Sequence, residues 1–421
     1  MFSTLRNAWK IPDLRKKILY TMLMIVIFRL GAAIPVPGID KVKLGQLFSS
    51  SNDGLLGMFN MMSGGAFKNF TIFALGITPY ITSSIIVNLL TIAFPALEAL
   101  SKEGPEGKKK LTQYTRYGTV VLALIQAFGM SVGLFRNAFI TYNGVSVFVS
   151  VVTLTAGTAF LMYLGEKITE NGIGNGISLF IFAGIISRVP GGTINTITRL
   201  KAGEIGVINI LFFAVIAILV IAGVIFIQQG TRKVPVQYAK RVVGRKMYGG
   251  QSSHIPLKVN QAGVIPVIFA ISILMFPLTI AQFWPNAGIS IWLKTYMSSR
   301  SFLYNTLYAI LILFFTYFYT SVTFNPVEVA TNMKQNGGFV PGIRPGKPTS
   351  EYLQRTLSRI TLAGAVFLAI IAVLPNVLLI FSDMQIRFGG TSLLIAVGVS
   401  LETVKQIEAQ MVMRHYQGFL K

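Results

Sequence analysis

Ten apolar stretches, most of them about 20 residues long, dominate this sequence and leave few folds open to it. They fall at roughly 18–35, 70–92, 114–135, 145–164, 176–189, 205–227, 262–283, 302–324, 359–381 and 391–412. A bilayer core offers no water to backbone amides, so runs of this length read as membrane-spanning helices. Composition supports this: 53% of residues are apolar and only 12% charged, against about 25% charged in soluble domains. So few charges could not cover a soluble surface. The fifth and tenth stretches are short and opened by glycines, which suits helices enclosed by others or lining a cavity.

Orientation follows from the basic residues. Of the 37 Lys+Arg, 25 fall on the side holding the amino terminus and ten on the other, while Arg29 and Lys405 lie within segments. The positive-inside rule therefore places both termini in the cytoplasm. The amino terminus, MFSTLRNAWKIPDLRKK, has no cleavage site after a short apolar core, so no removable leader is expected. Cysteine is absent, which excludes a disulfide framework, a thiolate metal site and a cysteine nucleophile. Three connections, about 36–69, 228–261 and 325–358, are too long for simple turns and are expected to carry function.

Ten segments invite comparison of the first five with the last five, an odd number per half inverting the second copy. Segment 2 holds Gly76-Ile77-Thr78-Pro79-Tyr80-Ile81 and segment 7 holds Gly263-Val264-Ile265-Pro266-Val267-Ile268, both reading G-x-x-P-x-I. Segments 5 and 10 share G-x-S-L-x-I-x-x-G, at Gly176–Gly184 and Gly390–Gly398. Paired Gly/Pro-interrupted segments in inverted repeats mark a functional site near the bilayer midplane. Helix packing alone would also use such residues. If the segments are symmetry mates, Ile81, Ile268, Ile181 and Ile395 sit at one depth around one axis. Ile77 and Ile177 lie a turn before two of them on the same face. Such a ring is a hydrophobic constriction, able to exclude ions by dewetting.

Catalytic signatures are missing. The two histidines, His254 and His415, lie in regions expected to be cytoplasmic, and neither a zinc-protease nor a phosphate-loop motif occurs. A G-x-S-x-G match, Gly129–Gly133, lies inside segment 3 rather than on a strand-to-helix turn, and reads as chance. No enzyme, cofactor or metal is expected. A solute transporter would place polar groups at the midplane, where these repeats place isoleucine. The run TRKVPVQYAKRVVGRK mixes cations with alternating apolar residues, suggesting an extended hairpin projecting from the membrane. It could meet the membrane surface, a partner protein, or rRNA phosphates.

Several stretches together resemble the SecY family of protein-conducting channels. They include FRLGAAIPVPGID (28–40), FALGITPYITSSIIVNLL (73–90), LGEKITENGIGNGIS (164–178), YAKRVVGRKMYGGQSSHIPLKVNQAGVIPVIFA (238–270), FNPVEVATNMKQNGGFVPGIRPGKPT (324–349) and FGGTSLLIAVGV (388–399). The resemblance implies an all-α polytopic membrane protein, ten transmembrane helices in two inverted five-helix halves (1–189 and 190–421) around a central pore. It implies a pore ring at Ile77, Ile81, Ile177, Ile181, Ile268 and Ile395. A plug over about 55–67 would include Leu55, Leu56, Met58, Phe59, Asn60, Met61, Met62 and Ser63, with Gly64 and Gly65 as its hinge. A lateral gate between segments 2–3 and 7–8 would involve Asn88, Gln126 and Ser272. The motor ATPase SecA or the ribosome, including its rRNA, would meet Arg232, Lys240, Arg241, Arg245, Lys246 and Arg344. Further implied partners are the subunits SecE and SecG, signal peptides, nascent chains and lipids, in a bacterial plasma membrane.

Overall fold

The computed structural model describes residues 6, 8–50, 60, 63–238, 241–243, 246–248, 252–281, 287–298, 301–381 and 390–418. Helices cover all ten apolar segments. The first five are carried by α1 (Pro12–Gly31), the bent pair α3 (Thr78–Ala93) and α4 (Pro95–Lys102), then α5 (Pro105–Gly129), α6 (Gly144–Asn171) and α7 (Gly176–Ile186). Short α2 (Lys41–Ser50) lies in the first long connection, and α8 (Val189–Lys201) follows α7. The second five are α9 (Val207–Gln229), α10 (Ile265–Ala281), α12 (Phe302–Thr323), α14 (Lys347–Phe381) and α15 (Gly390–Gly418). Connecting helices are α11 (Gly288–Tyr296) and α13 (Pro326–Gln335). Among the described residues six helices are long and apolar enough to cross a membrane, seven if the pair bent by 102° at Phe94 counts as one span.

Packing repeats between the halves. Segment 2 packs on 3, 3 on 4, 4 on 5 and 1 on 5; likewise 7 on 8, 8 on 9, 9 on 10 and 6 on 10. Among the described residues the halves meet most closely where α7 packs on α15 and α10 on both α3 and α5, and the Lys17 ammonium of α1 donates to Gln410 Oε1 of α15 at 3.4 Å. The repeated motifs share backbone geometry. Gly76 and Gly263 have φ of +59° and +64°, a left-handed conformation that glycine adopts without steric cost. Each is followed two residues later by the first residue of a helix, Thr78 or Ile265. Similarly, α7 and α15 begin at the matched glycines Gly176 and Gly390.

Segment 2 differs from its sequence expectation in one respect. Its helix starts at Thr78, not near residue 70, and the backbone through 63–77 is mostly turns. Proline has no amide to donate and is preorganised for a helix's first turn, so Pro79 sets the start. Irregular backbone at this depth is tolerated where protein encloses it, and Phe70, Phe73, Ala74, Leu75 and Ile77 are all buried.

A third repeat, which sequence reading passed over, crosses those segments. Ala156-Gly157-Thr158-Ala159-Phe160-Leu161 on α6 and Ala363-Gly364-Ala365-Val366-Phe367-Leu368 on α14 both read A-G-x-x-F-L. Gly157 lies directly against the Ile72 carbonyl, while a Cβ on Gly364 would stand 2.6 Å from the Val259 oxygen. Ile72 and Val259 each precede their matched glycine, Gly76 or Gly263, by four residues. The same close helix-to-carbonyl crossing therefore occurs once in each half, with a glycine at the point of closest approach.

Outside the bundle, the sixth connection forms the expected hairpin: β1 (Thr231–Tyr238) pairs antiparallel with β4 (Ser252–Lys258). Short β2 (Arg241–Val243) and β3 (Lys246–Tyr248) form a second ribbon between them. The sequence did not reveal that β5 (Gly338–Phe339), in the eighth connection, adds to β1 and gives the order β4-β1-β5. Val234, Val236, Leu257, Met333, Val340 and Leu353 form a separate apolar core beneath this sheet, so the two long basic connections make one unit.

Candidate pore and vestibule

The isoleucines singled out by the repeat meet. Ile77, Ile81, Ile181, Ile268 and Ile395 are buried in one apolar cluster, and Ile177 packs partly buried against it. They come from the four segments 2, 5, 7 and 10, two from each half. Local structure fixes each position: Pro79 and Pro266 start their helices below Ile81 and Ile268. The Asn175 side chain caps α7 by accepting from the Ile177 and Ser178 amides at 3.1 and 3.2 Å, the pairing expected of a good N-cap.

Next to the ring is a cavity of about 410 Å³. Ile81, Ile177, Ile181 and Ile268 line its apolar part, and Asn88, Thr112, Arg116, Glu166, Glu170 and Asn175 its polar part. Arg116 on α5 donates to Glu166 on α6 with a closest approach of 2.7 Å. The Glu166 side chain is only 15% exposed, so this pair is better sheltered than the Lys167–Glu170 contact nearby. These charged groups line the polar part of the cavity, whereas the isoleucine cluster beside it is aliphatic. Polar and charged groups thus wall one part of the cavity and branched aliphatic side chains the other. Sequence reading had missed the vestibule charges; the cation–carboxylate pair is 50 residues apart and leaves no local pattern.

Other expected site residues divide. Among the plug positions, Leu55, Leu56, Met58, Phe59, Met61 and Met62 lie outside the described residues. Asn60, Ser63, Gly64 and Gly65 are described and form a turn: the Gly65 amide donates to the Asn60 carbonyl at 2.9 Å and the Phe67 amide to Ser63 Oγ at 2.9 Å. Gly64 and Gly65 have φ of +64° and +95°. At the expected gate, Gln126 and Ser272 are buried, while Asn88 is exposed. Ser272 Oγ donates within its own helix, to the Ile268 carbonyl at 2.9 Å. Among the described residues no hydrogen bond joins these three; the α10 contacts with α3 and α5 make the seam.

Of the basic positions, Arg232 is exposed on β1 and Arg344 is exposed in the loop after β5. The Arg344 carbonyl accepts from Thr349 Oγ1 at 2.8 Å, so the main chain is held while the side chain is presented outward. Arg241 and Lys246 stand on β2 and β3; Lys240 and Arg245 lie outside the described residues. The G-x-S-x-G serine, Ser131, is fully buried in a π turn at Met130–Leu134, away from both histidines in sequence.

Similarity to known proteins bears on this arrangement. The family model described as SecY matches residues 71–404, spanning the ring, vestibule and both basic connections. The chain belongs to the SecY family. It is 49% identical to a protein translocase subunit SecY of Halalkalibacterium halodurans, covering 100% of both chains. It is 43% identical to the SecY of Thermotoga maritima, over 100% of this chain and 98% of that one. Among solved structures, one of a SecY protein whose plug domain stabilises the closed translocation channel aligns with TM-score 0.67 and 19% identity. It is covered to 92%, with 94% of this chain matched. A structure of a protein-conducting channel aligns with TM-score 0.63 and 20% identity, at the same coverages. These likenesses establish the SecY fold, two inverted five-helix halves around a pore. Membership of the family makes this chain a non-catalytic translocase subunit in a membrane.

Proposed function

We propose that this chain is the passive conduit of a protein translocase, carrying unfolded secretory polypeptides across the membrane. The observation that carries this reading is the meeting of Ile77, Ile81, Ile181, Ile268 and Ile395, with Ile177 against them, from both halves in one apolar cluster beside a polar-walled vestibule. Branched aliphatic side chains can close around any passing sequence without recognising it, so a channel for many substrates needs apolar, adaptable walls. The segment around 55–67 acts as plug, and the seam of α3 and α5 with α10 as the lateral gate through which signal peptides and membrane segments reach lipid. The halves divide near residues 189 and 190.

The reading extends to partners and place. The excess of basic residues puts the β1–β5 sheet unit and both termini in the cytoplasm of a bacterial plasma membrane. The motor ATPase SecA, or a ribosome with its rRNA, docks on that unit through Arg232, Lys240, Arg241, Arg245, Lys246 and Arg344, and supplies the driving force. SecE clamps the halves and SecG attaches beside them. Vesicles reconstituted with this chain, SecE and SecG should protect a secretory precursor from external protease only with SecA and ATP inside the same assay. Protection absent with the whole set, in vesicles shown to bind SecA, would overturn the conduit.

A further inference from the structure

We propose that α11 (Gly288–Tyr296) is an interfacial anchor, lying along the lipid headgroup boundary of the outer leaflet and fixing the outer end of α10 there. The hold on α10 deepens the lateral-gate reading above; the lipid contact stands without it. Nine residues make a helix about 14 Å long, under half of a hydrocarbon core of roughly 30 Å, so α11 cannot span. One face is committed to the protein. Ser290 and Met297 are buried and Leu293 partly so, spaced i, i+3, i+7. Leu293 and Met297 join the main apolar cluster, and α11 packs on α10.

A second stripe, Ile289, Trp292 and Tyr296, repeats the same spacing but stays uncovered, Ile289 at 75% and Trp292 at 50% exposure. The Trp292 and Tyr296 rings lie together, their centroids 5.2 Å apart. This stripe carries no charge. Its aromatic pair suits the headgroup level, where ring bodies enter the acyl edge while the indole N–H and phenol O–H meet water and headgroups. The uncovered surface also continues onto both spans that α11 joins, through exposed Ile280 near the end of α10 and exposed Phe302 at the start of α12. Lipid that covers those spans therefore covers this stripe as well.

The first half supplies the contrast. There the matching short helix is α4 (Pro95–Lys102), which follows segment 2 as α11 follows segment 7. Its surface includes the exposed Glu98–Lys102 ion pair at 2.6 Å, charges suited to water. The repeat architecture alone thus does not place aromatic rings on a short helix; the sequence of α11 does. Pro277, inside α10, has no amide to donate and removes one backbone hydrogen bond from that helix. The turn beyond Pro277 can therefore stay with α11 while the rest of α10 bends away from it.

The test uses the full chain in its SecE–SecG complex, in vesicles of phosphatidylcholine and phosphatidylglycerol. Subtracting the emission of Trp292→Phe from the parent's isolates the Trp292 signal. Phosphatidylcholine brominated near the headgroup end of its acyl chains should roughly halve that signal. Bromine near the chain ends should quench it less, and aqueous iodide least. Quenching by iodide alone, by neither lipid, or more strongly by the deep bromine overturns the anchor. If Trp292→Phe does not accumulate, Ile289→Cys carrying a bimane label, in a chain with no other cysteine, gives the same readings. The hold on α10 is read by hydrogen exchange in the same vesicles. In Trp292→Gln, amides of the turn beyond Pro277 should exchange several-fold faster than in the parent, with α6 unchanged; equal exchange overturns the hold. Neither measurement needs a precursor or SecA, so precursor transport by the parent separates failure of this proposal from failure of the channel reading.

Discussion

Replacing Gly157 with alanine should destabilise the bundle more than the same change at Gly364, and by an amount the two crossings set. An alanine Cβ at 364 would stand 2.6 Å from the Val259 oxygen, so it must retreat about 0.7 Å to reach an ordinary carbon–oxygen separation. At 157 the Ile72 carbonyl carbon would lie at 2.9 Å and its oxygen nearer still, which demands a larger shift of both helix and turn. Overpacking of this kind costs about 1–3 kcal/mol, with Gly364→Ala at the low end and Gly157→Ala at the high end. Alanine also regains about 1 kcal/mol of helix propensity. The net expectation is about 2 kcal/mol lost at 157 and near zero at 364. Gly191 on α8 has open space around it, so Gly191→Ala should gain stability. Equilibrium unfolding of the three variants in mixed micelles of rising denaturing-detergent fraction ranks them. Gly157→Ala as stable as Gly191→Ala would refute the crossing.

Three further outcomes follow from the geometry. Arg232 and Arg344 are exposed, so Arg232→Ala and Arg344→Ala should leave stability within about 0.5 kcal/mol while weakening ribosome or SecA binding in a salt-dependent way, measured by co-sedimentation across a salt series. Asn376 Nδ2 donates to Asn305 Oδ1 at 2.8 Å between α14 and α12, and Asn376→Ala should cost about 0.6–1.7 kcal/mol in the same micelle titration. The Arg116–Glu166 pair is partly solvated at Arg116, 44% exposed; Arg116→Gln should therefore cost less than about 1 kcal/mol, and its effect should shrink as salt rises.

Much of this was legible in the sequence. Helix positions followed from apolar length, and α12 (Phe302–Thr323) matches the predicted 302–324 almost to the residue. The meeting of the isoleucines in one apolar cluster followed from two short repeats, because symmetry mates must stand at equivalent depth. What escaped notice is non-local or conformational. The addition of β5 to β1 joins residues about a hundred positions apart through two backbone pairs, and nothing in either strand announces it. The late start of α3 follows from Pro79 in its first turn, with Gly76 left-handed just before it, which hydropathy cannot register. The 102° bend at Phe94 was signalled by Pro95 but hidden by the unbroken apolar character of TIAFPAL. The A-G-x-x-F-L pair was visible, yet its meaning depends on the carbonyl each glycine meets.

A translocating polypeptide is expected to pass the isoleucine cluster, and the absence of cysteine allows a direct measurement. Single cysteines at Ile181 and Ile395, with Val215 on the exposed face of α9 as control, would be tested for disulfide formation with a cysteine in a secretory chain stalled midway by SecA and ATP. Crosslinks at both ring positions and none at Val215 are expected. No crosslink at either ring position, in a preparation shown to have engaged the stalled chain, would contradict the pore.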